Sequence, residues 1–124
     1  MRQVPERELI WAPRFTLSHV AANGMAYRFH PLYAWRLPKK HDGPVWDVLD
    51  TPTETGNWWR HPCTKPVALM EQLCKIAPEG GVILDPFAGS GTTLLAARLT
   101  GRHFLGFEKD PSYCDIVRCR LQQR

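Results

Sequence analysis

The chain has 124 residues, 16 of them lysine or arginine against 12 acidic, for a net charge of +4, which is enough for one domain burying roughly two thirds of its unfolded surface. Positive charge is shared evenly between the two halves and permits a nucleic-acid partner without demanding one. The four cysteines show no paired short spacing, so they read as buried thiols of a reducing compartment rather than as a zinc site. With no charged-then-apolar leader, no long apolar run and no internal repeat, a soluble cytoplasmic protein without membrane contact is expected.

From the start, 2–8 is polar and reads as loop, and Leu9-Ile10-Trp11-Ala12 is the first short apolar run and the first strand candidate. Val20-Ala21-Ala22-Asn23-Gly24 marks a turn. Tyr27 to Trp35 is rich in aromatic and aliphatic residues but contains Pro31, which predicts an edge-like strand or two short hairpin strands. From Pro38 to Pro62 the chain reads mostly as loop, longer than the usual connector of about 4–6 residues. Within it Lys39, Lys40 and Arg60 are interleaved with Trp46, Trp58 and Trp59, a mixture suited to stacking on bases and neutralising phosphates. Tryptophans that simply pin the loop to a sheet would give the same composition.

Thr64 then precedes Pro66 and a broad apolar stripe, Val67, Leu69, Met70, Leu73, Cys74 and Ile76, that ends near Pro78 and Gly80. This predicts a helix capped by Thr64 with Pro66 in its first turn. The stretch 80–93 reads as strand, glycine turn and helix: Gly81 to Leu84, then Asp85-Pro86-Phe87-Ala88-Gly89-Ser90-Gly91-Thr92-Thr93, then the helical pattern of Leu94, Leu95, Ala96, Ala97 and Leu99. Such a turn lets backbone approach a ligand and offers N–H groups at the positive end of a helix. About 20 positions on, a second strand at 103–107 ends in Glu108, a carboxylate placed to accept both hydroxyls of a ribose. Asp110 and Pro111 open a last helix that carries Cys114 and Cys119.

Three cofactor classes use a glycine turn after a strand. A nucleoside triphosphate needs a lysine before the Ser/Thr, where Gly91 stands, and a dinucleotide wants a third glycine, where Leu94 stands. S-adenosylmethionine, a nucleoside without a pyrophosphate, is the remaining candidate. Asp85 to Thr93 resembles the cofactor motif of the amino-methyltransferases of DNA, the adenine-N6 and cytosine-N4 enzymes. His61-Pro62-Cys63-Thr64-Lys65-Pro66 is similar to that family's segment beside the methionine end of the cofactor, with Cys63 in place of a threonine. Gly101 to Glu108 and Asp110-Pro111-Ser112-Tyr113 are similar to it as well, and the latter matches a structural helix start, not the catalytic Asp-Pro-Pro-Tyr loop.

The resemblance spans about 9–123 and implies an α/β architecture, a partial Rossmann-like S-adenosylmethionine-dependent methyltransferase fold forming one partial domain over 1–124. In the family's sheet order 3-2-1-4-5-7-6, strand 1 falls at 81–85, strand 2 at 103–107, strand 5 near 9–12, where Arg14 follows the tryptophan, and the 6/7 hairpin in 27–37, while strands 3 and 4 are lacking. It implies S-adenosyl-L-methionine as cofactor, held by Thr64, Lys65, Asp85, Phe87, Gly89, Ser90, Gly91, Thr92 and Glu108. It implies double-stranded DNA as partner, met by a small recognition region at 38–62 with Lys39, Lys40, Trp46, Trp58, Trp59 and Arg60. No Pro-Pro pair occurs in the chain, so no catalytic residue is assigned. The implied protein is the cofactor-binding portion of a truncated or split DNA methyltransferase that self-associates or meets a partner chain carrying the missing strands and loop. The alternative is a catalytically inactive DNA-binding or interaction protein descended from one.

Overall fold

The structure is a computed structural model that describes residues 5–13, 19–20, 26–27, 29–39, 43–52 and 64–122. Its contacts divide the chain into two compact units, Met1–Leu37 with Trp46–Thr53, and Pro38–Val45 with Glu54–Arg124.

The first unit contains β1 (Arg7–Trp11), β2 (His19–Val20), β3 (Ala26–Tyr27), β4 (His30–Ala34) and β5 (Val48–Leu49). β1 is the middle of a three-stranded sheet, antiparallel to β4 from Arg7↔Ala34 to Trp11↔His30 and parallel to β5 through Ile10↔Val48 and Trp11↔Leu49. Alternation along β1 turns Leu9 and Trp11 inward to form a small core with Leu49. A buried indole needs an acceptor, and Trp11 Nε1 donates to the Thr51 carbonyl at 2.9 Å while its ring stacks on His30 with centroids 4.8 Å apart. Glu6 accepts the Arg36 and Leu37 N–H groups at 2.9 and 3.0 Å, which holds Arg36 in a left-handed conformation, φ 55°, that a non-glycine residue enters only at a cost.

Two sequence expectations change here. The residues 30–34 form the edge-like strand, whose edge position accommodates Pro31. No hairpin occupies 27–37 among the described residues, and the short antiparallel ladder lies earlier, between β2 and β3. The 38–62 stretch is not all loop, since Val48–Leu49 adds a parallel strand to β1, with Ile10 N–H donating to Asp47 O at 2.7 Å and Ala12 N–H to Leu49 O at 2.8 Å. Arg14 and the turn residues 21–24 lie outside the described residues.

The second unit contains α1 (Val67–Cys74), β6 (Val82–Asp85), α2 (Thr92–Leu99), β7 (His103–Gly106) and α3 (Pro111–Gln122). β6 and β7 are parallel, in register from Val82↔His103 to Asp85↔Gly106, as the strand–helix–strand pattern predicts. α2 lies over this pair, and fully buried Ala96 and Ala97 let α1 approach closely, forming a core with Cys74, Val67, Met70 and Ile83. Close approach also explains Gly106: a Cβ there would sit 2.6 Å from a Leu94 methyl. Buried Arg102 gathers the far end of the unit, donating to Thr100 O and, at 2.9 Å, to Ala77 O.

α1 does not start as the sequence suggests. Its N-cap is Pro66, at ψ 140°, with no side-chain cap, because the residue before a proline is driven out of helical geometry and Thr64 is thereby set outside the helix. The opposite face of the strand pair carries Val82, Leu84 and Leu105, which remain 66%, 60% and 52% exposed. Among the described residues, no strand pairs with the free edge of β6. No described helix is long and apolar enough to cross a membrane.

The cysteines are not uniformly buried: Cys74 is, Cys114 is half-buried and Cys119 is exposed, while Cys63 lies outside the described residues. Burial pushes the Cys74 thiol from 9.0 up to about 11, so stability is undiminished below the unfolded value and falls as pH rises from there through the raised one, where a buried thiol must ionise. Alkylation at pH 8 followed by peptide mass spectrometry should therefore label Cys119 readily. Cys74 should be labelled only after denaturation.

Candidate nucleoside-binding site

The two parallel strands end side by side, the position at which α/β sheets bind ligands. Beyond β6, Asp85 Oδ1 accepts the Phe87 N–H at 3.0 Å, a local turn that aims the chain away from the strand. The two tips stay laced together: Phe107 N–H donates to Asp85 O and Ala88 N–H to Phe107 O, both at 2.9 Å. Gly91 then reverses the chain with φ 78° and caps α2. A Cβ on Gly91 would meet a Val117 methyl at 2.8 Å, so both backbone conformation and the packing of α3 require glycine.

Across the tip, the Glu108 carboxylate accepts the Gly89 N–H at 2.8 Å on Oε2 and the Asp110 N–H at 2.9 Å on Oε1. These bonds hold the carboxyl below its usual range, with the Asp110 N–H the largest cause, partly opposed by burial, and the Gly89 and Lys109 N–H groups adding to it. A carboxylate has about four acceptor positions, so capacity for ligand hydroxyls remains. Asp110 caps α3, accepting the Ser112 N–H at 2.9 Å and the Ser112 hydroxyl at 2.7 Å, and its own carboxyl is lowered first by that hydroxyl.

A cleft of about 450 Å³ opens at the tips, lined by Pro86, Phe87, Phe107, Glu108 and Lys109. Phe87 is 87% exposed and Phe107 57%, so two aromatic rings stand free beside a fixed anion. Apolar faces for a flat base and an ionised acceptor for sugar hydroxyls are the complement of a nucleoside.

The structure thus brings Asp85, Phe87, Gly89, Gly91 and Glu108 to one place, but Ser90 and Thr92 play another part. Both are buried, and their hydroxyls accept Arg120 Nη1 at 3.3 and 3.0 Å, while Ser90 O accepts it at 2.9 Å. The Gly91 N–H is taken by Ala88 O at 2.8 Å and is not offered to a ligand. Arg120 was not singled out in sequence, although a charged residue three places after Val117, on the side of α3 that meets the turn, was the available sign. Thr64 is half-buried and Lys65 exposed at the start of α1, and neither lines the cleft. Of the DNA-contact candidates, Lys39 and Trp46 are exposed and fall in different units. Lys40, Trp58, Trp59 and Arg60 lie outside the described residues, as do His61 and Pro62. Among the described residues, no three His, Cys, Asp or Glu side chains gather to hold a metal ion.

Residues 20–118 match the sequence profile of the N6/N4 DNA methylases. The type II methyltransferase M.ScaI of Streptomyces caespitosus is 38% identical over 94 residues, which cover 75% of this chain and 29% of that protein. Among solved structures, the complex of M1.HpyAVI with SAM superposes with a TM-score of 0.73 at 23% identity, over 97% of this chain and 63% of that one. TTHA0409 of Thermus thermophilus complexed with S-adenosyl-L-methionine gives 0.66 at 26% identity, over 94% and 52%. The matched regions span between 20% and 31% of the length of four curated relatives.

Gly91→Ala should lower the stability of the second unit by about 1–3 kcal/mol, through its left-handed conformation and the clash with Val117, measured by urea unfolding. The lowered Glu108 carboxyl stabilises the turn above its ordinary value of 4.5, and that contribution is lost as pH falls through the lowered value. In an NMR titration the Gly89 and Asp110 amide shifts should therefore move together, with a midpoint below 4.5.

Proposed function

The chain belongs to the N6/N4 DNA methylase family, and on that premise we propose that its second unit binds S-adenosyl-L-methionine for transfer of a methyl group to an exocyclic amine of DNA, at adenine N6 or cytosine N4. The observation that carries this reading is the bond from the Gly89 N–H to the Glu108 carboxylate, which fixes an acceptor and a glycine turn together at the mouth of the cleft. Glu108 receives the ribose hydroxyls, Phe87 and Phe107 flank the base, and Asp85 holds the turn that presents Phe87. Thr64 and Lys65 are assigned to the methionine end. When bound, the cofactor supplies the methyl group and its leaving tendency.

An amine conjugated to a base ring is a weak nucleophile, so the protein's contribution is orientation. The base must leave the duplex and have its amine aligned with the methyl donor. The Pro-Pro-Tyr type of loop suited to that task is not among these residues. We assign it to a segment beyond them, on this or another chain, whose strands would also pair with the free edge of β6 and whose helices would cover the exposed Val82 and Leu84. Lys39, Lys40, Trp46, Trp58, Trp59 and Arg60 are assigned to DNA, the cations to phosphate and the indoles to stacking.

Calorimetric titration of the wild-type chain with S-adenosyl-L-methionine should show one site per chain, and Glu108→Ala should weaken it about tenfold or more, since a charged acceptor of two hydroxyls is lost. A folded wild-type sample that does not bind refutes the proposal. Radiolabelled methyl transfer to unmodified duplex DNA should be negligible for the chain alone and appear once a polypeptide bearing the loop is added. Cofactor binding with no transfer under any such complementation would favour the inactive, DNA-binding reading.

A further inference from the structure

We propose that Arg120 is a positioning residue for the cofactor, acting through Ser90 and Thr92, and that the hydroxyls of these two residues serve the guanidinium and not the ligand. The inference rests on the reading of the cleft as a S-adenosyl-L-methionine site. Its geometric basis is independent of that reading. Arg120 is 2% exposed, Ser90 4% and Thr92 6%, so all three are withdrawn from the surface on which a ligand lands. One nitrogen, Nη1, is bonded to Ser90 O, Ser90 Oγ and Thr92 Oγ1, which fixes the backbone on both sides of Gly91. Just beyond Ser90 toward the strand is Gly89, whose N–H is bound to Glu108. The turn is held from behind by Arg120 and from in front by Glu108, so a shift of Ser90 moves the donor that sets the orientation of Glu108.

Placing a guanidinium here runs against the field of the helix. The N-terminal end of α2 is its positive end, and the oxygens of Ser90 and Thr92 that receive the cation offset that cost. A side chain needed merely to fill space behind Gly91 would be apolar, as Val117 is. A charged nitrogen whose N–H groups are shared among a carbonyl and two hydroxyls favours one backbone conformation, which filling does not.

The control is Arg102, equally withdrawn at 4% exposure and bonded to Thr100 O and Ala77 O at the opposite end of the strands. Three variants of the full chain, Arg120→Lys, Thr92→Val and their combination, are compared with Arg102→Lys by calorimetric titration with S-adenosyl-L-methionine and by hydrogen exchange of the Gly89 amide without ligand. Both Arg120→Lys and Arg102→Lys should lower the melting temperature. Only Arg120→Lys should also weaken binding, by about tenfold, as expected for loss of charge-assisted bonds, and speed Gly89 exchange. Thr92→Val should reproduce part of both effects, and the double variant should bind no more weakly than Arg120→Lys, because the two substitutions break the same contact.

Binding by Arg120→Lys equal to wild type overturns the proposal, as does an equal loss in Arg102→Lys. Additive losses in the double variant overturn it too, since Thr92 would then touch the ligand itself. Were the wild-type chain not to bind the cofactor, the reading of the cleft would fall, and Gly89 exchange unchanged in folded Arg120→Lys would separately overturn the role given to Arg120.

Discussion

The conformation of Gly91 is the constraint from which the second unit follows. With Gly91 at φ 78° the chain leaving β6 reverses within residues 86–91 and enters α2 at an angle that lays Leu94, Ala96 and Ala97 inward. That placement leaves room for α1 on one side and, through the absent Cβ, for Val117 of α3 on the other. Once α2 is seated, β7 can only return parallel to β6, and the strand tips arrive together with Glu108 opposite Gly89. Fold and site are consequences of the same turn, so a substitution that relaxes it acts on both.

Two buried guanidiniums mark the two ends of this strand–helix–strand unit, and they differ in what they hold. Arg102 meets carbonyls at the ends of helices, Ala77 O beyond α1 and Thr100 O beyond α2, where a cation is favoured by unpaired acceptors and by the helix dipole. Arg120 meets Ser90 and Thr92 where the dipole is unfavourable. The first arrangement is a cap that any helix end would accept. The second is stabilised by a carbonyl and two hydroxyls placed for it, and it raises the positive potential of the turn beside a cleft whose charged lining residues are Glu108 and Lys109.

What the sequence disclosed and what it withheld separate along physical lines. Local rules were readable: the glycine turn, the strand run of Val82 to Asp85 and the Asp110 cap with Pro111 all depend on a few neighbouring residues. The pairing of Glu108 with the turn was readable too, because strands joined by one short helix must lie adjacent. Long-range choices were not readable. Whether the Ser90 and Thr92 hydroxyls face a ligand or a guanidinium some 30 residues away depends on how α3 docks, which no local pattern states. Val48–Leu49 was missed because two residues carry no period, and they become a strand only where β1 offers an edge and Trp11 ties down Thr51. The start of α1 was misread because a capping threonine was weighed without the steric restriction that Pro66 imposes on Lys65.

The exposed face of β6 and β7 is where local order and completeness part company. Parallel strands are found with both faces covered, and Val82-Ile83-Leu84 is a continuous apolar run of the kind that two-sided burial selects. Helix α2 covers one side only, through Ile83, while Val82, Leu84 and Leu105 stand open on the other. The bonds that build the site lie at the strand tips and on the covered side, so the turn can form with the other face bare. Its rigidity is a separate matter, because the strands that carry the tips are held on one face and at one edge. A segment packed onto the open face would restrain Asp85 and Gly106 through the strands beneath them, and with them the spacing of Gly89 and Glu108. The geometry of the cleft therefore depends on a surface that does not line it.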